Sequence, residues 1–169
     1  MSAAPSAMKE GMFMDTFCVL PSPFGPLRLA ANDAGVTHLL FPEQPVPEGA
    51  EEGETPLLTQ AALELEEYFD RRRTLFTVPL CPAGTPFQQS VWAALQTIPC
   101  GRTAGYRDIA VKIGRPNAAR AVGQANGKNP IPILIPCHRV VAANGSLGGY
   151  SLGIDVKRKL LALEGVRIG

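Results

Sequence analysis

The stretch Tyr106–Ala125, YRDIAVKIGRPNAARAVGQA, decides the fold of the second half of the chain. Ile109, Ala110 and Ile113 recur at helical spacing and predict a short helix from about Tyr106 to Ile113. Gly114-Arg115-Pro116 then makes a tight turn, and a further helix is expected from Asn117, read as its N-cap, to about Ala125. Two short helices joined by a glycine-containing turn form the helix-turn-helix pattern. The second of them is nearly without bulk: Ala118, Ala119, Ala121 and Gly123 surround one long cation, Arg120. Small side chains let a helix backbone approach a partner surface, from which an arginine can enter a base stack or hold a phosphate. The same residues also suit tight packing on a core with Arg120 on a solvated edge, and this helix alone does not choose between the two.

Upstream, Thr85 at an N-cap, Pro86 at the first helical position and Gln88 three residues after the cap make a capping box. Phe87, Val91, Trp92, Leu95 and Ile98 share one face of that helix until Pro99 and Gly101 end it. Downstream, the turn Asn126–Pro130 leads into the apolar run Ile131–Val141, which is expected to be buried. Pro130, Pro132 and Pro136 keep it from being a regular strand or helix, because each lacks a donor and has a fixed φ. Cys137 and His138 therefore stand at the end of a rigid buried arch. A buried thiol is ordinarily inert and needs a base or a positive neighbour to become a nucleophile. His138 is the only imidazole nearby, the other histidine being His38, and a purely structural Cys137 remains open on these grounds.

A last helix is expected with Asp155 in its first turn, Lys157-Arg158-Lys159 as a basic stripe, Leu160, Leu161 and Leu163 on its apolar side and Gly165 as its stop. Glu164 falls in the last turn, where the helix dipole disfavours a carboxylate by about 0.3–1 kcal/mol. Either it is a frayed surface residue, or it orients His138 as the third member of a Cys-His-Glu relay.

The first half has a different character. Thr16–Leu20, Leu27–Ala31 and Val36–Phe41 read as strands, the last two joined as a hairpin through Asn32–Gly35. Residues 42–56, rich in Pro, Glu and Gly, read as an exposed loop. Leu57, Leu58, Ala61, Leu65, Tyr68 and Phe69 then give a helical stripe, with the glutamates on the other face and Arg71-Arg72-Arg73 closing the negative end. The expected fold is an α/β N-terminal domain, a small antiparallel sheet plus a helix, over residues 1–84. A mainly α C-terminal domain with a helix-turn-helix follows over residues 85–169.

A chain of 169 residues accommodates one sizeable core or two small packed domains. Residues 1–84 carry 5 Lys/Arg against 12 Asp/Glu, whereas residues 85–169 carry 11 against 3, an asymmetry that points one half toward a polyanion. No apolar run approaches the roughly 20 residues of a membrane span. The start, MSAAPSAMKEGMFMD, lacks the character of a signal peptide, so a cytoplasmic, reducing setting is expected. Cys18, Cys81, Cys100 and Cys137 form no CxxC pair, so neither a metal site nor a disulfide is expected, and the first three are read as small buried apolar groups.

Pro136-Cys137-His138-Arg139-Val140 resembles the active-site signature of the O6-alkylguanine-DNA alkyltransferases, the methylated-DNA–protein-cysteine methyltransferases. The resemblance runs from about Thr85 to Glu164 and includes Ala118–Gly123 and Asn129-Pro130, in order and spacing; the acidic half is similar in outline only. It implies direct DNA repair, in which a flipped O6-alkylguanine passes its alkyl group to Cys137 and inactivates the protein after one turnover. In such a protein Cys137 is the acceptor thiolate, His138 its base through water, and Glu164 the partner that polarises His138. Asn129 braces the turn, and Tyr106 crowds the nucleotide's phosphate and protonates the leaving guanine. Arg120 fills the gap in the base stack while Ala119, Ala121 and Gly123 let the helix lie in the minor groove. Val140, Tyr150, Ser151 and Leu152 would line the base pocket. The implied partner is double-stranded DNA containing alkylated guanine, with no cofactor, no metal, no membrane and no obligate protein partner, for a protein acting as a monomer.

Two positions depart from the family pattern. Leu152 stands where glycine is usual, which narrows the pocket against bulky alkyl groups. Gly105 stands where Ser or Thr is usual and removes one contact at the start of the Tyr106 helix. Three rival readings are an alkyltransferase-like lesion binder, which would lack the cysteine, a helix-turn-helix regulator and a cysteine hydrolase. A single covalent turnover separates the transferase from all three.

Overall fold

A computed structural model describes residues 15–167; the start of the chain read above as lacking signal-peptide character lies, up to Met14, outside the described residues. Strands β1 (Thr16–Leu20), β2 (Leu27–Ala31) and β3 (Val36–Leu40) form an antiparallel meander. The β2–β3 turn is locked by Asn32, whose Oδ1 accepts from the N–H groups of Ala34 (2.8 Å) and Gly35 (3.0 Å), an Asx-type turn. Gly35 permits the next contact: a Cβ there would lie 2.7 Å from the Pro79 carbonyl oxygen, which accepts from Val36 N–H at 2.9 Å. Within the expected loop, a two-residue strand β4 (Glu51–Glu52) pairs parallel to β1, so the sheet is mixed, in the order β3-β2-β1-β4.

Helix α1 (Pro56–Phe69) follows, capped by Thr55, whose hydroxyl accepts from Leu58 N–H at 3.1 Å. Leu58, Ala61, Leu65 and Tyr68 are buried. The glutamates do not all take the other face. Glu64 is buried because the chain returns over it: its carboxylate accepts from Thr77 N–H and Oγ1 and from Val78 N–H. The arginines do follow the helix end, but through their backbone. Its C-cap is Asp70, and Arg71 takes the left-handed position (φ 63°) as Arg71 and Arg72 N–H bond back to Tyr68 and Glu67. Arg73 folds back onto Glu67 at 2.7 Å.

The second half opens with α2 (Pro86–Leu95), whose capping box is present in full: Thr85 Oγ1 accepts from Gln88 N–H at 3.1 Å, and Gln88 Oε1 from Thr85 N–H at 2.9 Å. A short strand β5 (Ala104–Gly105) leads into α3 (Tyr106–Lys112) and pairs parallel with β6 (Val140–Val141). Helix α4 (Ala119–Gly127) begins one residue later than expected. Its N-cap is Ala118 rather than Asn117: the Ala118 carbonyl accepts the first helical bond, from Val122 N–H at 2.8 Å, while its own N–H closes the preceding turn on Arg115. Helix α5 (Ile154–Leu163) ends in a Schellman motif: Gly165 (φ 86°) bonds to Ala162 and Val166 to Leu161, against which Val166 packs. The fold is thus a small mixed-sheet α/β unit followed by a mainly helical unit with a helix-turn-helix. One apolar core runs through both, from Leu27, Leu29 and Leu65 to Trp92, Val122 and Ile135. No helix among the described residues is long and apolar enough to cross a membrane.

Candidate active site

The arch is built by its own backbone and one amide. Asn129 Oδ1 accepts from Ile131 N–H (2.9 Å), its Nδ2 donates to the Ile135 carbonyl (2.8 Å), and Ile135 N–H closes onto the Ile131 carbonyl at 2.9 Å. Ile133, at the crown, has φ 75°, a strained conformation for a β-branched residue, and its side chain is buried. Cys137 N–H then bonds back to the Ile135 carbonyl at 2.7 Å and opens a single 3-10 turn, Cys137–Arg139. From α4, Asn126 Nδ2 donates to the Cys137 carbonyl at 3.3 Å. Trp92 in turn holds α4 through a 2.9 Å bond from Nε1 to the Ala125 carbonyl. The helix-turn-helix and the cysteine turn are therefore one rigid piece.

That turn points His138 and Arg139 at Glu164, the C-cap of α5. The Glu164 carboxylate has no exposed surface and accepts four bonds: from Tyr68 Oη (2.5 Å), His138 Nε2 (2.7 Å), Arg139 Nε (2.9 Å) and Arg139 Nη2 (3.0 Å). Arg139 also donates Nη1 to the Ile98 carbonyl at 2.6 Å. Burial alone would push the Glu164 carboxyl up, but the hydrogen bonds from His138 and Arg139, with the charge of the guanidinium, hold it down to about 2, so it is ionised. Glu164 is thus no frayed terminus; its place at the end of the helix is outweighed by a guanidinium and an imidazole aimed at it. Burial lowers the His138 pKa, so the ring is neutral near pH 7. With Nε2–H donated to Glu164, Nδ1 carries the free lone pair, and this buried atom has no hydrogen-bond partner among the described residues.

Cys137 is buried, and burial raises its thiol pKa. Opposing that rise are hydrogen bonds from Tyr150 and Asn129 and the charge of Lys157; Tyr150 Oη lies 3.5 Å from Sγ. Lys157 is not part of a basic stripe. It turns inward with its side chain fully buried, donating Nζ to the carbonyls of Leu147 (2.5 Å) and Gly149 (3.1 Å), and lies 5.7 Å from the centre of the Tyr150 ring. Burial lowers its pKa to about 8. Lys157 thereby ties the loop that carries Tyr150 to α5.

Around this centre lie the remaining expected residues. Tyr106, half-buried at the start of α3, packs its ring against Gly123 of α4, where an added Cβ would sit 3.6 Å from Cε1. Burial, and then the Cys137 charge, raise its phenol pKa. Gly105 supplies no cap, but Asp108 accepts from Gly105 N–H at 2.8 Å and the β5–β6 pairing fixes the same backbone, so the start of α3 is held. Arg120 and Ala121 are exposed on α4 and Ala119 is half-exposed. A cleft of about 320 Å³ reaches Cys137 between His38 and Leu40 of β3 on one side and Asn129, Ser151 and Leu152 on the other. Val140 does not line it: this residue is fully buried, its backbone paired with Ala104. Cys18, Cys81 and Cys100 are only partly buried, not core residues, and all four cysteines are free.

The family model for the 6-O-methylguanine DNA methyltransferase, DNA binding domain, matches residues 86–166, and that for its ribonuclease-like domain matches residues 17–82. The chain belongs to the 6-O-methylguanine DNA methyltransferase family. It is 46% identical to the methylated-DNA–protein-cysteine methyltransferase of Methanosarcina barkeri over 154 residues, covering 86% of this chain and 94% of that one. It is 40% identical to the constitutive methyltransferase of Bacillus subtilis over 158 residues, covering 89% and 96%. The crystal structure of Mycobacterium tuberculosis OGT in complex with DNA superposes with a TM-score of 0.83 at 47% identity, covering 88% of this chain and 92% of that one.

In this member of the methyltransferase family, the structure brings Cys137, His138, Glu164, Asn129, Tyr150 and Tyr106 into one neighbourhood. Sequence reasoning missed Tyr68, Arg139, Asn126 and Lys157. Arg139 carried a usable signal, a cation inside an otherwise apolar run; the other three had none, because their partners are remote in sequence or on backbone carbonyls.

Proposed function

We propose that this chain repairs alkylated double-stranded DNA by moving the alkyl group of O6-alkylguanine onto Cys137, once per molecule. The observation that carries the reading is the buried His138–Glu164 pair directly after Cys137, with Nε2 at 2.7 Å from the carboxylate and Nδ1 left as an acceptor. A neutral imidazole in that state takes the Cys137 proton, through a bridging water, and Glu164 stabilises the imidazolium that forms. The thiolate attacks the alkyl carbon, the carbon–O6 bond breaks, and guanine leaves with a proton from Tyr106. The product is a thioether, which water does not cleave as it cleaves an acyl-enzyme, so Cys137 is not regenerated. The thiol is itself the acceptor, and the reaction calls for no cofactor.

The target base must leave the helix to reach a buried thiol. The exposed Arg120, flanked by Ala119 and Ala121 on α4, suits the gap that it leaves. Labour divides between a catalytic unit, residues 85–169, and a supporting unit, residues 1–84. The protein acts as a monomer without an obligate protein partner, in a cytoplasmic setting where thiols stay reduced. The test is intact mass after incubation with a duplex carrying one O6-methylguanine, beside Cys137→Ser. A gain of one methyl per chain, saturating at one equivalent and absent in the variant, is expected. Unchanged mass with tight lesion binding would make the protein a damage sensor instead.

A further inference from the structure

Tyr68 belongs to α1, in the half of the chain that carries neither the cysteine nor the helix-turn-helix, and lies 96 residues before Glu164. Its hydroxyl nevertheless reaches Glu164 Oε2 at 2.5 Å, the oxygen that also accepts from His138. The ring is buried and wedged between Phe69 and Phe76, with centroids 5.5 and 5.4 Å away, so the hydroxyl is aimed by packing. Burial, and then the Glu164 charge, keep the phenol protonated, which makes Tyr68 the donor. A second tie runs beside it: Leu39 N–H of β3 donates to the Pro130 carbonyl at 3.0 Å, next to the Asn129 that braces the arch. We propose that the N-terminal half completes the reactive centre through Tyr68, a positioning residue whose hydroxyl holds Oε2 of Glu164 in place for His138.

This inference rests on the alkyl-transfer reading above. The groups facing His138 are Glu164 and Lys157 from α5 and Cys137 and Arg139 from its own turn, with Tyr68 of α1 and Cys100 against Glu164. Of these, Tyr68 is the neutral donor that shares Oε2. Removing its hydroxyl leaves more negative charge on Oε2 for the imidazole. His138 then holds a proton to higher pH and is a poorer base at low pH, while Arg139 still fixes the carboxylate through two bonds.

The experiment compares full-length wild type and Tyr68→Phe in two assays across pH: iodoacetamide alkylation at Cys137, followed by peptide mass, and single-turnover methyl transfer from O6-methylguanine duplex. The acidic limb of both profiles should move up by roughly half to one pH unit, a loss of about three- to tenfold on that limb, and rejoin wild type above it. In a Glu164→Gln background the same substitution should have no further effect. A uniform loss at every pH, an unmoved limb or full additivity with Glu164→Gln would overturn the proposal. Should Tyr68→Phe not fold, site-specific 2,3-difluorotyrosine at residue 68, a stronger donor, must move the limb down; no movement refutes it. If wild type transfers no methyl, the alkyl-transfer reading fails, while the DNA-free alkylation profile still decides the role of Tyr68.

Discussion

Replacing Glu164 by glutamine changes one atom of the side chain and removes a charge on which three residues converge. The carboxyl is held at about 2 against an ordinary 4.5, and at about 1.4 kcal/mol per pH unit this contributes about 3 kcal/mol to stability near neutrality. A second route agrees: breaking a buried ion pair from one side costs roughly 3–5 kcal/mol, and here it strands the Arg139 guanidinium, which has 5% exposure. Because the folded pKa lies below the unfolded one, the stabilisation is complete above pH 4.5 and fades as pH falls toward 2. At about pH 3 roughly half of it remains. Urea denaturation of wild type and Glu164→Gln should therefore differ by about 3 kcal/mol at pH 7 and by about half that near pH 3. In thermal melts the neutral difference corresponds to roughly 6–12 °C. A difference below about 1 kcal/mol at neutral pH, or one that does not change with pH, would refute the argument that His138 and Arg139 hold the carboxylate ionised.

Three further outcomes follow from the same geometry. Arg120 is exposed and makes no side-chain bond among the described residues, so Arg120→Ala should leave stability within about 0.5 kcal/mol while slowing transfer from duplex DNA, read by melting and single-turnover rate. Lys157→Met leaves the Leu147 and Gly149 carbonyls without their donor; it should cost about 1–3 kcal/mol in denaturation and slow iodoacetamide labelling of Cys137. Unaltered labelling would remove Lys157 from the reactive centre. Leu152 lines the cleft to Cys137, so Leu152→Gly should raise the rate with O6-benzylguanine relative to O6-methylguanine; an unchanged ratio would show that Leu152 does not limit the alkyl group.

Local signals were legible in the sequence where the physics is local. The capping box Thr85–Gln88 closes within four residues and predicts the start of α2 without tertiary help. The hairpin at Asn32–Gly35 and the glycine stop at Gly165 are likewise matters of neighbouring backbone. Errors fell where a distant group intervenes. Glu64 occupies a position that helical periodicity assigns to solvent, and it is buried because Thr77 and Val78, 13 and 14 residues on, supply its donors. Lys157 sits in a run of three cations that reads as a solvated stripe, yet it turns inward to two carbonyls of the preceding loop. Val140 shares the motif of the site but spends its backbone on β5 and its side chain in the core.

By itself the sequence determined the order of the three meander strands and the five helices, the arch that no regular structure can replace, and the adjacency of thiol and imidazole at Cys137-His138. These depend on spacing, on prolines that fix φ and on groups within a few residues of one another. Only the tertiary structure decided what those groups are chemically. Glu164 is an ionised, four-bonded carboxylate, not a loose end, because a 3-10 turn and α1 bring Arg139, His138 and Tyr68 to it across 25, 26 and 96 residues of chain. Burial and charge act through space, and a one-dimensional pattern does not encode which distant donors will satisfy a buried acceptor.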